Sequence, residues 1–157
     1  AASTAAEPVV LICGPASGRR HLQGARLSEG EPLKLALPWS AISLRLLLDR
    51  FIHAGHVPVA RMVEMDSLPA LLDFVAESDW VTLLPATCAT RDLSGRRHIV
   101  QPLIEPEMAT EFYLVHPARR TLSAAAKAFA ESIEMGFLKS QERWRVAERR
   151  GKTIAAL

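Results

Sequence analysis

The chain has 157 residues, 49% of them apolar and 23% charged, with a net charge of +2. That is an ordinary globular balance, enough for one core or for a fragment of a two-lobed domain. The charge is too mild to argue for nucleic-acid binding, and the longest apolar runs fall far short of the about 20 residues that a bilayer span needs.

The opening AASTAAEP is small and polar and starts at Ala1. It reads as a linker or a cut end, so the chain is expected to be the C-terminal part of something longer, and it shows no signal-peptide pattern. Cys13 and Cys88 stand far apart and in no metal or redox spacing. Both read as small apolar residues, and two lone thiols point to a reducing, cytoplasmic setting.

In chain order, PVVLIC (residues 8–13) is a β-branched run stopped by Gly14-Pro15 and predicts a strand. GPASGRRHLQG follows as a loop. Its glycine spacing is wrong for a phosphate loop, and no lysine follows Gly18. LKLALP (residues 33–38) predicts a second strand. In WSAISLRLLLDRFIHAG, Leu44, Leu47, Leu48 and Phe51 fall on one helical face, with Arg45, Asp49 and His53 at ion-pairing steps on the other. Ser40 suits the N-cap and Gly55 the position after the helix. Gly55 also separates His53 from His56, which argues against a metal pair there.

VPVARMVEM (residues 57–65) predicts a third strand. A second helix follows, with Ser67 as cap, Pro69 in the first turn and Leu68, Leu71, Leu72 and Val75 on one face. VTLLP (residues 81–85) is a fourth strand. Strand, helix, strand, helix, strand from residue 33 to 85 predicts an α/β fold, a doubly wound parallel-sheet lobe with right-handed crossovers. After a polar loop holding Arg91, Gly95 and Arg96, HIVQPLI and TEFYLVH (residues 110–116) predict two more strands. A long helix capped by Thr121 or Ser123 closes the chain, with Phe129, Ile133, Phe137 and Trp144 as its apolar stripe. The basic end RWRVAERRGK (residues 143–152) reads as a solvated helix terminus with cations at its favourable dipole end.

In an open α/β sheet, ligands sit at the carboxyl ends of strands against helix N-termini. Two such places are PWSAIS, with Trp39 and Ser40, and MDSLP, with Asp66, Ser67 and Leu68; Pro85 ends the fourth strand. Free N–H groups and hydroxyls there suit a carboxylate, with Trp39 as an apolar wall. The competing reading makes Ser40, Asp66 and Ser67 caps and Trp39 core. Asp66 would repel a carboxylate unless it faces away or accepts a hydroxyl or amine. No nucleophile elbow, no metal-ligating His/Glu pair and no glycine-rich dinucleotide turn is present, so no catalytic residue, metal or cofactor is expected.

Four segments in this order resemble the effector-binding region of LysR-type transcriptional regulators: PVVLICGP, LSEGEPLKLALPWSAISLRLLLDRF, VEMDSLPALLDFVAESDWVTLLP and QPLIEPEMATEFYLVHPARRTLSAAAKAFAESI. The resemblance covers residues 8–133 and implies a type 2 periplasmic binding protein fold of two lobes joined by crossing strands. It implies a linker and crossing strand in residues 1–32, a second effector-binding lobe in 33–103, and a return strand and first-lobe helix in 104–157. It further implies a small-molecule effector in the cleft, a homo-oligomer, and DNA contact only through an upstream helix-turn-helix absent here. Ser78 and Trp80 stand where the family often has glycine, and Trp80 is expected to alter packing near the hinge. A solute-binding domain serving transport, or an enzyme on the same fold, are the alternatives.

Overall fold

A computed structural model describes residues 3–39 and 42–157. Among the described residues, seven strands and three α-helices follow one another as β1 (Ser3–Cys13), β2 (Ala25–Arg26), β3 (Leu33–Pro38), α1 (Ile42–His53), β4 (Val59–Met65), α2 (Leu68–Ala76), β5 (Val81–Pro85), β6 (Ile99–Glu105), β7 (Ala109–Leu114) and α3 (Ala124–Ala155). The strand order is β2-β6-β1-β5-β3-β4, with β7 paired to β1.

The alternating unit read from the sequence forms the parallel part: β3 pairs in parallel with β4 and with β5. The sheet then turns mixed, because β1 runs antiparallel to both β5 and β6, with Leu11 opposite Leu83 and Gln101. Residues 9–13 of β1 and all of β5 are buried, as expected of central strands covered on both faces. Leu44 and Leu48 of α1 and Leu71 and Val75 of α2 join them in one core. β4 is an edge strand and is largely exposed.

Local signals end the helices where expected. Ser67 Oγ accepts the Ala70 N–H at 3.3 Å, and Ser123 Oγ accepts the Ala126 N–H at 3.1 Å. Gly55 takes φ +80° and closes α1, with the His56 N–H returning to the Phe51 carbonyl. Arg45 pairs with Asp49 at 2.9 Å and with Glu64 across on β4. His53 instead turns its Nδ1 to the Asp49 carbonyl.

Two expectations need correction. The opening stretch is no linker from Ser3 on: residues 3–8 form the first half of β1, paired antiparallel with β7 from Ser3–Leu114 to Pro8–Ala109. Small residues have little strand propensity of their own, and here the cross-strand partner decides. Trp80 does not lie near the crossing of β1. It precedes the far end of β5, where it packs against Phe74 at 5.7 Å and under the Arg61 guanidinium at 5.9 Å.

α3 spans both parts of the molecule. Its first half lies along the β1–β7 ribbon, where Phe137 meets Phe112 edge-on at 5.5 Å. Its second half buries Trp144, Ala147 and Gly151. The predicted apolar stripe therefore divides: Trp144 is core, while Phe129 is 68% exposed and Ile133 is 42% exposed.

Candidate functional site at the carboxyl ends of the parallel strands

The parallel register brings three strand ends to one edge. Pro38 lies opposite Met65, and the Trp39 N–H donates to the Met65 carbonyl at 3.2 Å. β5 arrives beside them at Pro85 and runs straight into a 3-10 turn, Ala86–Cys88. Between that turn and the first turns of α2 lies an open groove of about 580 Å3. Leu68, Pro69 and Leu72 form its apolar side. Thr87, Cys88, Arg91 and His98 form the other, with Asp73 at the margin.

The polar groups of the groove differ in how committed they are. Asp73 is held by Arg97 at 2.5 Å, so its charge is offset. His98 Nε2 lies 2.8 Å from the Leu72 carbonyl, so that nitrogen carries the N–H that donates to it. Arg91 is exposed and belongs to no ion pair among the described residues. Burial, helped by the nearby Glu7 charge, pushes the Cys88 thiol up, so it rests as a neutral thiol.

The sequence-predicted residues are spread over this edge. Leu68 is 37% exposed and lines the groove. Asp66, Ser67 and Trp39 are exposed on the same edge but outside the groove lining, and the Ser67 hydroxyl is engaged as a cap. Pro85 is buried beneath the turn that follows it. Ser40 lies outside the described residues. Thr87, Cys88, Arg91 and His98 were not predicted. They belong to an irregular connection with no periodic signal, and only the β5–β6 return brings them against α2.

The profile of the family described as the LysR substrate binding domain matches residues 2–137 of the chain. The chain belongs to that family. Solved structures that share its fold include effector and regulatory domains of transcriptional regulators. The effector domain of AmpR of Pseudomonas aeruginosa is 23% identical, with a TM-score of 0.54 over 91% of this chain and 68% of its own. The regulatory domain of Synechocystis PCC6803 CcmR, solved with 2-PG, is 17% identical, with a TM-score of 0.59 over 83% of this chain and 64% of its own. The effector-binding domain of QuiR, solved with shikimate, is 16% identical, with a TM-score of 0.53 over 97% of this chain and 66% of its own. At these identities the likeness shows the fold. The chain thus spans about two thirds of each of these domains. Among curated protein sequences no relative matches the chain.

Proposed function

We propose that the chain is the effector-sensing region of a bacterial LysR-type transcriptional regulator, and that its ligand is a small organic acid seated at the carboxyl ends of β3, β4 and β5. The observation that carries the reading is the groove itself: an apolar wall on α2 faces an uncommitted guanidinium at Arg91, with Thr87 beside it. A guanidinium without a carboxylate partner suits a ligand carboxylate through paired N–H donors. In this reading Trp39, Asp66 and Ser67 edge the same cleft, Leu68 lines its apolar side, and Pro85 supports the turn from beneath. The complexes of QuiR with shikimate and of CcmR with 2-PG support a small-molecule ligand for this chain.

In this reading the chain senses and does not turn over its ligand, needs no cofactor, works in the cytoplasm, and acts on DNA through an upstream helix-turn-helix. No helix among the described residues is long and apolar enough to cross a membrane. Exposed apolar side chains on the β1–β7 ribbon and the first half of α3, including Phe112, Tyr113, Phe129 and Leu138, support further packing there by the rest of a first lobe and by a second protomer. Ligand binding would then bias the arrangement of lobes and protomers, and so the attached DNA-binding domains.

The test is titration of the full-length regulator with a panel of small carboxylates, read by calorimetry and by operator binding. The reading expects at least one acid to bind and change operator affinity, and Arg91→Ala to weaken that acid about tenfold or more, as loss of a charge-assisted contact does. A panel that binds equally well to wild type and Arg91→Ala removes the groove from consideration. A full-length protein whose operator binding answers to no ligand removes the sensing role.

A further inference from the structure

Glu7 sits where β1 leaves its ribbon with β7 and enters the main sheet, and it is 1% exposed. A carboxyl group so placed requires an explanation, because burying one costs several kcal/mol unless it is well bonded. Its Oε2 accepts the Thr87 N–H at 3.1 Å, and the side chain of Gln141 on α3 lies close enough to draw its pKa down. Gln141 Nε2 also donates to the Ala6 carbonyl at 3.1 Å. The Glu7 Oε1 atom has no hydrogen-bond partner among the described residues.

A second path runs beside the first. The Thr90 hydroxyl donates to the Thr87 carbonyl at 3.1 Å. Its single proton is thereby used, so the Ser140 hydroxyl, 3.2 Å away, must donate to Thr90 Oγ1. Thr87 is thus gripped at both ends of its backbone: the N–H through Glu7, whose neighbour Ala6 is bonded to Gln141, and the carbonyl through Thr90 to Ser140. Thr87 lines the groove, whereas Ser140 and Gln141 are consecutive residues of α3 beyond residues 2–137, the part that the family profile matches.

We propose that Glu7 and Thr90 form a coupling joint that ties the groove residue Thr87 to Ser140 and Gln141 of α3, so that occupation of the groove changes how the helix is anchored. This regulatory use rests on the reading of the groove as the effector seat; the joint itself does not. The turn cannot shift without giving up the Thr87 N–H bond to Glu7 or the Thr90 bond to its carbonyl, and each of those is shared with α3. The unpaired Oε1 leaves the network incompletely satisfied, which makes it easier to open than the surrounding core.

Two native thiols report on the joint without any ligand. Cys88 lies in the turn, next to Thr87, and is half-buried; Cys13 is buried in β1 and reports general loosening. The experiment follows iodoacetamide alkylation of each cysteine in the full-length protein, peptide by peptide, by mass spectrometry. Gln141→Ala and Ser140→Ala change only α3. Each is expected to raise the Cys88 rate about threefold to tenfold, the range one lost hydrogen bond gives, with Cys13 unchanged. Their double variant should fall short of the product of the two, because both paths end on Thr87.

For Glu7→Gln, whose lost charge acts on the thiol directly, the readout is amide exchange at Thr87, expected to quicken by a similar factor. Cys88 rates unmoved by both α3 variants would overturn the joint, as would Cys13 rising in step with Cys88. A joint confirmed in this way beside an Arg91→Ala variant with unaltered ligand binding would leave the coupling standing and remove the groove as the effector seat.

Discussion

Gly151 of α3 meets Leu22 so closely that a Cβ built on the glycine would lie 2.5 Å from the Leu22 carbonyl oxygen and 2.8 Å from its Cβ. Leu22 is itself held in place: its φ is 62°, and its N–H donates to the Val100 carbonyl at 2.8 Å. The contact fastens the end of α3 to the β6 side of the sheet.

This reverses the usual sign of a helical glycine substitution. In an exposed helix interior, Gly→Ala gains up to about 1 kcal/mol. Here the added methyl must displace backbone, which costs about 1–3 kcal/mol as overpacking does. Gly151→Ala is therefore expected to lower the midpoint of urea unfolding. Gly136→Ala in the same helix, with open space around its Cβ position, is expected to raise it. Equal gains for both would dismiss the contact.

Glu7 predicts an unusual pH dependence. Burial pushes its carboxyl above the ordinary value of 4.5, against the pull of the Thr87 N–H and the Gln141 side chain. The folded state therefore holds this proton more tightly than the unfolded chain. That contribution is fully present below the ordinary carboxylate value and is lost as pH rises through the raised one. Glu7→Gln removes it, so the stability of the variant relative to wild type should improve from pH 4 towards pH 8. The opposite trend in denaturant titrations at several pH values would show that Glu7 is held as a favourable carboxylate.

The Ser67 cap can be separated from ligand contact. Its hydroxyl is spent on the Ala70 N–H, so Ser67→Ala should cost about 1 kcal/mol of stability. Ser67→Asp restores the cap and adds charge at the favourable helix end, and should recover that stability. An anionic ligand at this edge would bind Ser67→Asp more weakly than wild type, which calorimetry can read beside the unfolding data.

Among exposed apolar residues, Phe129 and Ile133 lie on the first half of α3, outside the core. Phe129→Ser with Ile133→Ser should change unfolding stability by less than about 1 kcal/mol, since little burial is lost. Self-association of the isolated 157-residue chain, measured by sedimentation, should fall. A large loss of stability without a change in association would place these side chains in a closed core instead.

Periodicity and capping residues alone determined the parallel unit from β3 to β5, the Ser67 and Ser123 caps, and the Gly55 stop. Each is set by neighbours within one helical turn or by alternation within one strand, so the information is local. The order of the segments likewise carried the family. The tertiary structure decided the rest. The stretch from Ser3 to Glu7 is a strand because β7 lies beside it, 103 to 111 positions later along the chain. Trp80 sits away from the β1 crossing because β5 ends there at Pro85 and begins at the opposite end. The groove wall of Thr87, Cys88, Arg91 and His98 has no period to read, and Glu7 looks like any surface glutamate until β1, the turn after β5 and α3 close around it. Such features depend on contacts between residues far apart in the chain, and those contacts exist only once the sheet has assembled.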